Sequence, residues 1–192
     1  MMLAATVIHG CGGGTVESPT AGTFRGFPPD LRGRRVMVFP VQIRLGVRED
    51  ADPEIAFAFR ERSDEVDWVF PDELEAALAR APGIQSRVTG LPVGLFLRTE
   101  VDRVGDPLYG QLRRLGEMTG ADVAFIPIAL RVGPNEPGSG SAVEIVATIL
   151  DVRSGRVAWF GVVAGRPGPA TDFATVASAV EALAATLLWF GR

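Results

Sequence analysis

Three apolar, β-rich runs govern the second half of the chain: residues 123–132, 142–152 and 156–164. The last two are separated only by Arg153-Ser154-Gly155, a tight glycine-ended turn, which predicts an antiparallel hairpin. The first run, VAFIPIALRV, carries no charge until Arg131, the pattern of a strand covered on both faces. Such a strand needs a layer on each side. Helical patterns supply candidates. Pro71-Asp72-Glu73 opens one, with Leu74, Ala77, Leu78 and Ala81 inward, and Pro82-Gly83 ends it. Asp106-Pro107 opens a second, striped by Leu108, Leu112, Leu115 and Met118 and stopped by Gly120. Residues 171–190 form a third, with Phe173, Val176, Ala177, Val180, Leu183, Ala184, Leu187 and Leu188 on one face. Asp172 and Glu181 interrupt it, and it falls short of the ~20 apolar residues a bilayer requires.

Residues 34–44 read as an earlier strand centred on residues 36–39, its ladder interrupted by Pro40. The alternation of Ile55, Phe57 and Phe59 with alanines predicts a short strand, and residues 85–97 a short strand followed by a loop. The expected fold class is therefore α/β (α+β): one domain over residues 34–192, a mixed β-sheet packed by about three helices. No internal repeat is present.

The N-terminus has a different character. An apolar run, Leu3 to Ile8, leads to Gly10-Cys11, then to three glycines and a small polar stretch. This resembles a bacterial lipoprotein signal, with Ile8 three positions before the cysteine and Gly10 directly before it. The resemblance implies that residues 1–10 are a removable signal peptide and that Cys11 carries the lipid, a palmitate-type acyl group. It departs from the pattern in having no Lys or Arg before the apolar run, in the run being shorter than the roughly 7–15 residues usual there, and in His9. Residues 11–33, rich in Gly, Pro, Ser and Thr, read as a flexible tether. Gly12 rather than Asp after the cysteine fits the periplasmic face of the outer membrane.

Composition narrows the chemistry. All 19 basic residues are Arg, the one His is His9, and the one Cys is Cys11. From Gly12 onward there is no His, Cys or Lys, which removes Ser–His, Cys–His and Ser–Lys nucleophiles and the usual zinc ligands. No GxSxG elbow occurs, and Gly10 to Gly14 has no following Lys to make a phosphate loop. A carboxylate pair is the remaining enzymatic route, and no acid stands out for it. No catalytic residue, metal site or cofactor is expected. Residues 49–75 hold 11 carboxylates against two arginines. They read as a solvated surface; the alternative is calcium on Glu49, Asp50, Asp52 and Glu54, which lack EF-hand spacing. A pI near 5.1 argues against nucleic acid. Arg32, Arg34 and Arg35 serve either solubility or contact with anionic lipid headgroups, worth ~1 kcal/mol each near such a surface. Trp68, Phe70, Phe96 and Tyr109 lie in the less regular first half. Trp159 and Phe160 are adjacent on a strand and so point to opposite faces. One is expected in the core; the other, if exposed, is a candidate partner contact.

Three pieces carry a wider resemblance: RVMVFPV at 35–41, LRRLGEMTGADVAFIPI at 112–128, and IVATILDVRSGRVAWF at 145–160. With the final helix, they resemble the small periplasmic α/β domain shared by several lipoproteins. That group includes the N-terminal domain of the Tol-Pal propeller protein, the curli secretion lipoprotein and the lipoprotein activator of a peptidoglycan synthase. The resemblance implies a non-catalytic scaffold or regulator, lipid-anchored in the cell envelope, that works through a protein partner. Pore formation is not expected, because the one candidate barrel segment, residues 86–102, is broken by Gly90, Pro92 and Gly94. The alternatives are a soluble carboxylate-based hydrolase and a self-assembling envelope subunit, and the sequence leaves the oligomeric state open.

Overall fold

The computed structural model describes residues 19–134 and 141–189. The signal-like segment 1–10 and Cys11 lie outside the described residues. In chain order the elements are β1 (Phe24–Gly26), β2 (Arg35–Val38), β3 (Ile43–Leu45), α1 (Asp52–Arg62), β4 (Asp67–Val69), α2 (Pro71–Ala79), a 3-10 turn (Gly94–Leu97), α3 (Leu108–Thr119), β5 (Val123–Val132), β6 (Ala142–Asp151), β7 (Val157–Pro167) and α4 (Phe173–Leu187). The strands form one mixed sheet in the order β1-β7-β6-β5-β2-β4, with β3 also on β5. This is the mixed α/β single domain expected from the runs, with four α-helices among the described residues rather than about three.

The three long runs form its centre, an antiparallel β5-β6-β7 meander. The β6–β7 turn closes through Asp151, whose Oδ1 accepts from the Ser154 N–H and Oγ–H, both at 2.7 Å. Gly155 completes it at φ +68°, a left-handed conformation costly for any residue with a Cβ. β2 and β3 are two halves of one parallel strand along β5, Val36–Val38 against residues 123–125 and Ile43–Leu45 against 129–131. Pro40, with no N–H to give, sits in the break.

Both sheet faces are covered, as the unbroken apolar pattern of β5 requires. One core packs Val123, Phe125, Ile145, Ile149 and Trp159 against α1 and α4. The other packs Ala124, Ile126, Val146, Leu150 and Phe160 against α2, α3 and the 88–104 segment. Alternate residues of one strand thus serve two cores. Gly120 ends α3 at φ +73°.

Three expectations are corrected, and one element escapes them. Residues 55–59 lie in helix α1, not a strand. Pro53 and the carboxylates Asp52 and Glu54 suit its first turn, Arg60 and Arg62 its last, and Ile55, Ala58 and Phe59 are its buried positions. Phe57, the middle residue of the apparent alternation, is 62% exposed. Residues 85–97 form no strand and contribute only the 3-10 turn. β4 goes unread because its Asp-Trp-Val has too few residues for a period. The segment from residue 19 to 33 is part of the domain rather than tether. It adds β1 to the edge of β7, and Leu31 is buried in the core.

Candidate aromatic cleft

Trp159 and Phe160 do point to opposite faces, but neither is a surface contact: they are 1% and 0% exposed. Phe160 stacks on Phe96 with centroids 6.2 Å apart and carries the Arg25 guanidinium 4.3 Å from its ring centroid. Trp159 is covered on the α4 side and at the sheet edge, where Phe24 of β1 packs 6.3 Å away. Both rings are therefore covered, Phe160 by Phe96 and Arg25 and Trp159 by α4 and by β1, which caps the edge of β7.

That capping creates a different site. Phe24, Gly26, Phe27, Pro28, Trp159, Thr186 and Trp189 line a cleft of about 500 Å³. Phe27 is 90% exposed, Trp189 59% and Phe24 49%, so three large aromatics stand at the surface around a buried indole. No lining residue is ionisable. The one hydroxyl, Thr186 Oγ1, already donates to the Ala182 carbonyl at 2.8 Å. The position of Phe24 is set by the backbone: β1 pairs Phe24 with Gly161 and Gly26 with Trp159. A Cβ on Gly26 would lie 2.3 Å from the Ala158 carbonyl oxygen, so only glycine permits that approach. Composition hid this site, since Phe24 and Phe27 sit in a Gly- and Pro-rich stretch. Two phenylalanines within four residues of such a stretch were its only signal.

A second depression, about 590 Å³, runs between α1 and α4 over Phe57, Ala58, Phe173, Ala174 and Ala177. Its rim is charged by Glu54, Glu61 and Arg166, and Arg62 pairs with Glu181 across it.

The structure distributes the other sequence candidates over ion pairs. Arg32 pairs with Asp30 at 2.6 Å, Arg34 with Asp122 at 2.7 Å and Arg35 with Asp67 at 3.0 Å. The hydrogen bonds from Arg32 hold the Asp30 carboxyl down at about 2. In the acidic stretch, Asp50 and Asp52 both accept from Arg44, at 2.6 and 3.4 Å. Asp52 Oδ1 also accepts from the Val41 N–H at 2.8 Å, and burial pushes its carboxyl pKa up despite these contacts. Neither aspartate lines either depression. Among the described residues no cluster of three or more His, Cys, Asp or Glu is placed to hold a metal ion. Also among them, no helix is long and apolar enough to cross a membrane.

No protein-family model and no curated protein matches the chain. Solved structures do. The chain is similar to the LpoB C-terminal domain from Salmonella enterica, at 14% identity and TM-score 0.46, over 73% of this chain and 87% of that one. It is similar to PelC from Paraburkholderia phytofirmans, solved as a dodecamer, at 16% identity and TM-score 0.43, over 87% and 98%. It is also similar to the lipoprotein GNA1162 from Neisseria meningitidis, at 15% identity and TM-score 0.40, over 72% and 84%. The partners and assemblies of these neighbours remain statements about those proteins.

Proposed function

We propose that this chain is a lipid-anchored protein of the bacterial cell envelope, attached through Cys11, whose α/β domain binds or scaffolds an envelope protein without catalysing a reaction. One observation carries the non-catalytic part of the reading. The cleft that gathers Phe24, Phe27 and Trp189 at the surface holds no ionisable group. It offers contact area and no acid, base or nucleophile. The hydrolase alternative needs two carboxyls facing a cleft with separated pKa values. Asp52, whose carboxyl burial pushes up, is occupied by Val41 and Arg44 instead.

The attachment is tested by growing cells with radiolabelled palmitate. The full chain is expected to take up label and sediment with membranes, and Cys11→Ala to lose both. Label retained by Cys11→Ala refutes attachment at that residue. Crosslinking of the full chain in intact cells is expected to trap a discrete envelope protein. Recovery of monomer alone refutes the scaffolding role.

A further inference from the structure

We propose that the Phe24–Phe27–Trp189 cleft seats in the interfacial layer of a lipid bilayer, so that the domain lies against the membrane rather than hanging free on its tether. The inference deepens the lipid-anchor reading and rests on it for the nearness of the bilayer.

The chemistry of the lining selects the occupant. Two Phe rings, a Trp and a proline face outward with no charge among them. Phe and Trp are the side chains that partition into the headgroup–acyl boundary, where an indole keeps its N–H hydrated while its ring leaves water. The depression between α1 and α4 contrasts with it, being bordered by carboxylates and guanidinium groups that a bilayer would have to desolvate. Along the strap beyond the cleft, the next acid is Asp30, and Arg32 neutralises it in an ion pair. It therefore opposes an anionic lipid surface little.

The chain outside the described residues is long enough to reach the cleft. Pro19 is fixed by its carbonyl, which accepts from Arg131, whose strand neighbours in the sheet are Glu144 and then Ala164. Trp159 at the cleft is five residues back along β7, about 17 Å. The eight-residue span from Cys11 to Pro19 reaches about 26–29 Å when extended. A lipid on Cys11 can therefore lie level with the cleft, and Phe24 and Phe27 belong to the segment that continues from that anchor.

The test uses the full chain carrying Cys11→Ala, so that no acyl group contributes. It is mixed with vesicles of phosphatidylethanolamine and phosphatidylglycerol, with or without brominated acyl chains. Trp189 emission is expected to shift to the blue and be quenched by the brominated lipid, while buried Trp159 changes little. Trp189→Ala is expected to abolish the quenching. Phe27→Ala is expected to weaken vesicle partitioning about tenfold, the scale of burying one aromatic side chain. Because Phe27 is almost wholly exposed, that variant keeps its fold, which circular dichroism verifies. No quenching at millimolar lipid overturns the proposal, as does unchanged partitioning of Phe27→Ala. Concentration-dependent self-association removed by Phe27→Ala, without quenching, assigns the cleft to a second copy and also overturns it. Failure of the anchor reads separately: quenching with no palmitate label on the wild-type chain retains the lipid-binding cleft and removes only Cys11 attachment.

Discussion

Single side chains hold the two ends of the sheet. Glu144 is 2% exposed and pairs with Arg131 at 2.8 Å, and Arg131 also donates to the Pro19 carbonyl. A buried pair contributes little net stability, yet removing one member strands the other. Glu144→Leu is therefore expected to cost roughly 3–5 kcal/mol in urea unfolding, and Arg131→Met with Glu144→Leu much less. At the opposite end, burial pushes the Asp151 carboxyl up, but the Ser154 hydrogen bonds and the Arg34 charge outweigh it and hold the pKa below its usual value. A depressed folded pKa stabilises above the ordinary aspartate range and loses that contribution as pH falls through the folded value. Ser154→Ala is expected to raise the Asp151 pKa in a carboxyl NMR titration. It should destabilise the fold more at neutral pH than in acid, where the carboxyl is protonated in both states. The apolar periodicity around these residues shows neither function, because both depend on partners distant in sequence or on one hydroxyl.

Elements differ in how much of them local sequence determines. α3 was legible from Asp106, its Leu stripe and Gly120, and β5 to β7 from their length and their turn. α1 was misread because apolar residues at 55, 57 and 59 fit a strand, while those at 55, 58 and 59 fit a helix. In an 11-residue segment, burial against α4 decided between them. β1 has only three residues, and its sole neighbour is β7. Gly26→Ala brings a Cβ to 2.3 Å from the Ala158 carbonyl oxygen at φ +71°, so β1 is expected to detach. The readout is a rise in Trp159 solvent accessibility to acrylamide and faster amide exchange at Val162, whose N–H donates to Thr23. Unchanged quenching would show that β1 is held by side chains rather than by its ladder.

Across the whole molecule, a sheet covered on both faces concentrates stability in its middle. β5, β6 and β7 each run ten or eleven residues, whereas edge strands β1 and β4 have three each. Short edges also offer little ladder for unwanted pairing with another chain. Native-state hydrogen exchange is expected to be slowest at Val146, Ala147 and Ile149 of β6, with protection approaching the global unfolding free energy. Protection in β4 and β1 should be lower by orders of magnitude. Equal protection throughout would mean that the edges fold and unfold with the centre.

Local pattern along the chain carried the fold class, the hairpin at Ser154-Gly155, the order of the later elements and the poverty of catalytic side chains. Those follow from periods, turn residues and absences that read locally along the chain. Tertiary structure alone decided that residues 19–33 belong to the domain, that 52–62 is helical, and that Trp159 lies under a lid made by Phe24. It also decided that Phe27 and Trp189, 162 positions apart, share one uncharged cleft. The physical reason is common to all of these. A three-residue strand or an isolated aromatic has no period of its own, and its position follows from the hydrogen bonds and apolar surface that distant strands present to it.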